Sequence, residues 1–508
     1  MRICMASDFF YPSIGGVEEH IFNLSQILLK RGHKVIILTH CYGDSKGIRY
    51  LTNGLKVYYL PIKVFYAQSI LPTMICNAPL IRAVLIREQI EIVHGHSAFS
   101  ALGHEAMIVA SLMGLKTVFT DHSLFGFADL SAVFTNKMLE IDLTCVDHCI
   151  CVSHIGKENT VLRARVPKER VSVIPNAVDT ALFTPDPSQR PQDDTINIVV
   201  ASRLVYRKGI DLLSGIIPRF KSMTNIKFII VGDGLKRELL EEIREKANMQ
   251  DRVQMVGAVE HVQVREYLVQ GHIFLNTSLT EAYCMAIVEA ASCGLQVVST
   301  NVGGIPEVLP DNLIILTKPE VDSIYEGLMK AIKRLQNYNK KCAILHPKNN
   351  ETKITTASTA AADHSNKNGK YSKKLKKRHN AKNSYQKPST CQMKTNVNDS
   401  AVIADDDRSI DNYAVHTSSV LCPYKCNEIV ASLYNWNNVT QRTEKVYKSV
   451  LKQPSRSLGE ILHSYLRADV WSILLPISML HLILRFLEYI RPGRYMEKAK
   501  DFSPYTSN

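Results

Sequence analysis

Short apolar runs recur along residues 1–335, separated by stretches that carry the 3.6-residue periodicity of helices. Ile3–Ser7, Val35–Thr39, Val57–Leu60, Ile90–His94, Thr117–Thr120 and Cys149–Ser153 read as buried strands. The clearest helix lies between the first two: Val17, Ile21, Leu24 and Leu28 fall on one face, and Gly32 after Lys30-Arg31 supplies a stop. A second set begins after Ile174-Pro175-Asn176, with strands at Ile198–Ala201, Phe228–Val231, Val253–Val256, Ile273–Leu275 and Gln296–Ser299. Strand-then-helix order predicts an α/β fold of two Rossmann-like domains, 1–170 and 171–339. Each would hold a parallel sheet covered on both faces, with a cleft at the carboxyl ends of the strands.

The pattern lapses over 340–420, where Lys, Asn, Ser, Thr and Asp leave little to bury. This stretch reads as a disordered basic insertion with KKLKKRH at 373–379 as a solvated charge run; a nuclear signal or an anionic-lipid site is the alternative. Apolar spacing returns at Ile429, Leu433, Trp436, Val446, Tyr447 and Val450, predicting a closing helix of the second domain within 421–455. Residues 456–508 read as a membrane segment and tail. The uncharged run Val470–Leu484 is 15 residues long, short of the roughly 20 that a bilayer needs. Trp471 and Arg485 extend it as interfacial anchors, so one C-terminal transmembrane helix is expected over about 470–490. Five cations on each side give no orientation from charge.

Composition refines this picture in two ways. The net charge of the 508 residues is +13, but 340–420 holds 13 Lys and 2 Arg against 7 acids, so +8 of it sits there and +5 remains. With no RNA- or DNA-binding module beside the charge, no nucleic-acid partner is expected. The 12 Cys are scattered, and Cys145, Cys149 and Cys151 lack the paired spacing of a zinc site. Free thiols in a reducing compartment follow. The chain opens on MRICMASDFF, itself a strand, so no signal peptide is expected before it.

The candidate chemistry sits at strand ends. In TSLTEAYCMAIVEAASCG, Glu281 is expected in the turn after Thr280 and Glu289 two turns inside the following helix. Eight helical steps span about 12 Å. Free N–H groups at Tyr283, Cys284 and Met285 would form a helix N-terminus suited to phosphate. A ligand with hydroxyls at both ends and a diphosphate between them, such as a nucleotide-sugar, fits this ruler. Gly15 and Gly16, at the first strand–helix junction, allow close backbone approach and do not form a GxGxxG fingerprint. Arg203 and Lys208 flank the turn after Ala201 and are placed to neutralise a departing diphosphate. His122 ends a first-domain strand and faces the cleft.

GGVE, SRLVYRKG, the Glu pair and VGGIPE, in this order, resemble the retaining two-Rossmann (GT-B) nucleotide-sugar glycosyltransferases of family 4. SDFFYPSIGGVEEHIFNLSQ, FTDHSLFGFAD and LNTSLTEAYCMAIVEAASCGLQVVST are similar to catalytic subunits of the phosphatidylinositol N-acetylglucosaminyltransferase family. That resemblance implies transfer of N-acetylglucosamine from UDP-GlcNAc to phosphatidylinositol, the first step of GPI-anchor biosynthesis. It also implies a cytosolic catalytic part, one C-terminal span in the endoplasmic reticulum membrane, and further subunits of a multi-subunit complex. Arg203 and Lys208 would bind the diphosphate with the N–H groups of Gly15-Gly16 and of the turn after Glu281. Glu289 would hold the ribose, Glu281 the transferred sugar, and His122 its reacting face, with Arg207 a candidate for the acceptor phosphate. No Asp-x-Asp motif lies at a strand end, so no metal and no cofactor are expected. The alternatives are another lipid-directed retaining glycosyltransferase and a non-catalytic nucleotide-sugar-binding subunit.

Overall fold

The computed structural model describes residues 1–13, 15–66, 68–73, 75–124, 130–345 and 421–500; the expectations for the rest of the basic stretch, 346–420, lie outside them. Met1–Asn339 and the described residues after 420 belong to one compact unit. In chain order the strands are β1 (Arg2–Ala6), β2 (Lys34–His40), β3 (Gly47–Leu51), β4 (Leu55–Leu60), β5 (Val64–Tyr66), β6 (Ser69–Ile70), β7 (Ile92–His96), β8 (Lys116–Asp121), β9 (His148–Cys151) and β10 (Val171–Val173). Eight of them form one sheet in the order β10-β9-β8-β7-β1-β2-β4-β3, and β5–β6 is a separate hairpin. The second sheet, β13-β12-β11-β14-β15-β16, is built from β11 (Ile196–Ala201), β12 (Ile226–Val231), β13 (Val253–Gly257), β14 (Ile273–Asn276), β15 (Gln296–Thr300) and β16 (Ile314–Thr317).

Helices α1 (Gly16–Lys30), α2 (Ala78–Arg87), α3 (Ala101–Leu112), α4 (Leu130–Leu143) and α5 (His154–Ala164) belong to the first sheet. Helices α6 (Ile210–Ile216), α7 (Arg237–Lys246), α8 (His261–Leu268), α9 (Met285–Ser292) and α10 (Val321–Leu345) belong to the second. The central strands are apolar on both sides because helices cover both faces: Ile3, Cys4, Met5 and Ala6 are fully buried, alternating between two separate cores. The apolar face expected on α1 is present, with Ile21, Leu24 and Leu28 buried, and Gly32 takes positive φ just beyond its end.

The structure departs from the sequence reading at four places. β3 pairs antiparallel to β4 at the sheet edge, joined to it by a tight turn through Asn53 and Gly54, both at positive φ. The expected boundary after residue 170 cuts off β10, which pairs with β9 and completes the first sheet. α10 runs through the expected boundary at 339 to Leu345. The single closing helix over 421–455 is two helices, α11 (Pro423–Leu433) and α12 (Trp436–Leu451), broken where the Asn435 side chain caps the second. α11 packs in the core of the second domain through Cys426 and Val430. α12 crosses to the first domain, burying Val439, Val446, Tyr447 and Val450 beside α1. Glu444 fixes that crossing by accepting hydrogen bonds from Arg31 Nε at 2.8 Å and Arg31 Nη2 at 2.9 Å.

Two further helices, α13 (Leu458–Arg467) and α14 (Leu474–Ile490), end the described chain. A single turn at Trp471–Ile473 leads into α14, and Trp471–Ile490 is the one helix among the described residues long and apolar enough to cross a membrane. Its inner edge, Ile477, Leu480 and Leu484, packs into the first-domain core, and Arg82 of α2 pairs with Glu488. Its outer edge is an exposed apolar stripe of Trp471, Leu475, Met479, Leu482, Phe486 and Tyr489.

The cleft and its candidate active site

The turn between β14 and α9 is held from both sides by glycines. A Cβ on Gly209, at φ 64°, would overlap the Thr277 carbonyl, and Cβ atoms on Gly303 and Gly304 would overlap the carbonyls of Glu281 and Ala282. Gly304 N donates to the Glu281 carbonyl at 2.9 Å. Backbone packed this closely leaves the turn little freedom, which pre-orders the groups it carries.

Lys208 pairs with Glu281, and Glu281 Oε1 also accepts the Ser278 hydroxyl at 2.9 Å. Burial opposes the charge on Lys208, but the Glu281 carboxylate outweighs it and raises the ammonium pKa, so the cation persists. Arg203 is exposed, makes no ion pair among the described residues, and lies near enough that its charge is felt at Lys208. Arg207 is exposed as well. Glu281 is thus engaged in orienting Lys208, a task that the sequence reading did not assign to it.

α9 starts at Met285, with Cys284 at φ 72° as its N-cap and no side chain capping it. Its free N–H groups therefore open at Met285 and Ala286, later than the expected Tyr283–Met285. Glu289 sits little more than one turn inside the helix, not two, because the chain stays non-helical through Cys284. Burial and the nearby Glu281 carboxylate push the Cys284 thiol up to about 12, which keeps it protonated at the start of α9. Tyr283 is buried with its hydroxyl donating to the Asn176 carbonyl at 3.1 Å, so at the cleft it offers only backbone.

Across the cleft, α1 begins at Gly16 with Gly15 in extended backbone as N-cap. A Cβ at Gly15 would meet Glu18 Oε2 at 2.6 Å, whereas Gly16 faces open space. Glu18 folds back over this helix start and accepts from Ser13 Oγ at 3.0 Å. His122 follows β8 in a turn set by Asp121, whose carboxylate accepts from Ser123 N at 2.9 Å and from Thr160 Oγ1 and Arg163 Nη2 at 2.8 Å. Next in the chain, Leu124 abuts the place where a Gly303 Cβ would stand, so this turn meets the second domain.

Around His122 lies a cluster that the sequence reading missed. His122 Nε2 is 3.4 Å from His96 Nδ1, and its ring centroid is 4.7 Å from that of His20. His94 bonds the Tyr447 hydroxyl at 2.7 Å and Thr120 Oγ1 at 2.6 Å. Burial and the neighbouring imidazoles hold His94, His96 and His122 well below the ordinary range, and burial holds His20 at about 4. The four rings are neutral near pH 7, so they offer polarity without charge. One ring nitrogen each of His20, His96 and His122 fall within 4.8 Å of one another, a spacing that a divalent metal could bridge. The signal was present: His94 and His96 are two apart on a strand and so share a face.

Two contacts connect the domains at the cleft mouth. Glu307, from VGGIPE, caps α5 by accepting from His154 N at 2.6 Å and Ile155 N at 2.9 Å. His261, the first residue of α8, lies between Glu289 Oε1 at 2.8 Å and Glu19 Oε1 at 3.5 Å. Burial disfavours charge on His261, but the two carboxylates lift its pKa to about 10. Neither Glu307 nor His261 was singled out from sequence, since their partners lie in the other sheet's domain or far along the chain.

Two facing Rossmann-like sheets with an anion-ready helix tip in the cleft between them define a GT-B glycosyltransferase. Solved structures share the fold: a sucrose-phosphate synthase from Thermosynechococcus elongatus (TM-score 0.58, 16% identity, 88% of this chain and 98% of that one) and Anabaena HepE in complex with UDP (TM-score 0.58, 14% identity, 88% and 100%). Residues 184–344 match the model of glycosyl transferases group 1, and residues 40–129 match that of PIGA (GPI anchor biosynthesis). The chain is 43% identical over 505 residues to a phosphatidylinositol N-acetylglucosaminyltransferase subunit of Arabidopsis thaliana, covering 99% of this chain and 94% of that protein. To the corresponding human protein it is 65% identical over 337 residues, 66% of this chain and 69% of that one. The chain belongs to the PIGA family of phosphatidylinositol N-acetylglucosaminyltransferase subunits.

Proposed function

We propose that this chain transfers N-acetylglucosamine from UDP-GlcNAc to phosphatidylinositol, the first step of GPI-anchor biosynthesis, as the catalytic subunit of a larger complex. Family membership supports the activity, and the observation that carries the site is the Lys208–Glu281 pair beside the uncapped start of α9. A diphosphate seated there meets one half-buried cation, one exposed cation at Arg203, and free backbone N–H groups. These groups stabilise charge as it develops on the leaving UDP and need no reorganisation at that moment. The Gly15-Gly16 turn faces the same anion from the first domain. Glu289 accepts from the ribose hydroxyls.

Transfer breaks the bond from C1 of the sugar to the phosphate oxygen and forms a bond from C1 to an inositol hydroxyl oxygen on the same face. The hydroxyl proton passes to the departing phosphate oxygen. Configuration is retained without a protein nucleophile, and the neutral His122 orients the sugar's reacting face. Arg207, exposed beside Lys208, is available to the acceptor phosphate. No metal is needed in this scheme, because Lys208, Arg203 and the helix tip carry the leaving-group charge.

Attachment to the endoplasmic reticulum membrane, with the catalytic part cytosolic, is assigned to Trp471–Ile490 as a single span. Its length and its outer apolar stripe support this. Full insertion would exchange the packing of Ile477, Leu480 and Leu484 on the first domain for lipid or partner helices.

The test is transfer of label from UDP-GlcNAc to phosphatidylinositol by membranes from cells that lack their own enzyme of this kind and express this chain. Labelled, α-linked product that persists in EDTA is expected. No product sinks the activity, a β-linked product sinks retention, and loss in EDTA sinks metal independence.

A further inference from the structure

His261 is the structure's only described side chain with one ring nitrogen on a carboxylate of each domain. It opens α8 behind a capping box, in which the Glu260 side chain and Gln263 exchange bonds with each other's backbone, so the position of its Cα is fixed. From the second domain Glu289, which is buried, presents Oε1 to His261 Nε2 at 2.8 Å. From the first domain Glu19 presents Oε1 to Nδ1 at 3.5 Å. Two carboxylates can both be served only when both ring nitrogens carry protons.

Glu19 is itself anchored. The Tyr11 hydroxyl donates to its Oε1 at 2.7 Å and Asn23 Nδ2 to its Oε2 at 3.3 Å. Tyr11 belongs to the loop that carries Gly15 and Gly16 to the start of α1. Five groups therefore stand in series: the glycine loop through Tyr11, Glu19, His261, Glu289, and then whatever Glu289 binds. Glu289 Oε2 has no hydrogen-bond partner among the described residues and remains available to accept. A ribose hydroxyl can bond it without displacing His261.

We infer that His261 is a positioning residue for the donor: its imidazolium aims Glu289 at the ribose and ties that carboxylate to Glu19, so that closure of the cleft and recognition of the nucleoside share one charge. This rests on the donor site proposed above. The bridge makes donor affinity depend on a residue of the first domain, Glu19, that touches no part of the donor. It also leaves the reacting atoms alone, so loss of the bridge should weaken donor binding and spare the chemical step. The positive charge of residue 261 is the necessary property, and the other charged groups that face it are Glu19 and Glu289.

The experiment uses the intact complex in membranes and measures kcat and the KM for UDP-GlcNAc and for phosphatidylinositol. His261→Gln, near in shape and uncharged, is expected to raise the donor KM about tenfold with kcat and acceptor KM within about twofold. His261→Lys should recover most of the loss. Glu19→Gln should give a similar rise, and the double variant should be no worse than His261→Gln alone. An unchanged donor KM in His261→Gln, equal losses in the Gln and Lys variants, or additive losses in the double variant each overturn the bridge. Lys208→Ala serves as the control for the parent reading. If it abolishes transfer while His261→Gln leaves the donor KM unchanged, only the bridge falls.

Discussion

Lys208 and Glu281 are 73 residues apart in sequence and form an ion pair at the cleft, with Ser278 bonding the same carboxylate oxygen. The pair holds the lysine's ammonium group in place before any diphosphate arrives. Replacing Lys208 with Ala removes a fixed cation and strands Glu281 near the incoming anion. Transfer should fall about a hundred- to a thousandfold, the scale of losing one preorganised stabilising group. Steady-state kinetics checks this: a kcat within twofold of wild type would show that the cation does not face the leaving group. Glu281→Gln should cost less, since Lys208 keeps its charge and loses only its guide.

In the proposed donor site Glu289 holds the ribose end. Glu289→Ala should weaken UDP binding about tenfold, in line with loss of one hydrogen bond to a charged acceptor. Calorimetry with UDP reads this directly, and unchanged affinity would remove the carboxylate from the ribose.

The histidine cluster makes the fold sensitive to acid. His20 sits at about 4 and His94, His96 and His122 well below the ordinary value, in each case first because of burial. For groups with a depressed folded pKa, the unfolded chain takes up protons first as pH falls through about 6.5. Their stability contribution is complete above that value and declines from there toward the depressed folded values, about 4 for His20. As pH falls from 6.5 to 5, the Tm of the purified complex should fall less steeply in His96→Gln than in the wild type. A Tm equally steep in that variant would contradict the assignment.

α14 divides its apolar surface between protein and surroundings. Replacing Leu475, Leu482 and Phe486 with Ser removes exposed apolar area and no core contact, because the buried edge is Ile477, Leu480 and Leu484. The catalytic unit should stay folded while a larger fraction is extracted from membranes at alkaline pH. Retention equal to wild type would mean that this stripe does not meet lipid.

Legibility in the sequence followed burial and distance. Strands buried on both faces announce themselves as apolar runs, so all but the edge strand β3, the hairpin, β10 and β16 were read directly; these exceptions are short or half-exposed. A helix tip close to Met285 and the glycines at 15 and 16 were readable because strand–helix turns restrict residue type. What was missed depends on pairing across the fold. His20 resembles a lone core histidine until α1, β7 and the turn after β8 bring it beside His96 and His122. His261 and Glu19 carry no local signal, and the crossing of α12 to α1 depends on Glu444 finding Arg31 and His33 more than 400 residues earlier.

The central claim is the seat of the diphosphate, and a structure of the complex with UDP-GlcNAc tests it most directly. Phosphate oxygens within hydrogen-bonding reach of Lys208 Nζ and of the backbone N–H groups that open α9, with a ribose hydroxyl on Glu289, are the expected result. A donor bound elsewhere, with Lys208 still closed on Glu281 and the tip of α9 facing solvent, would contradict it.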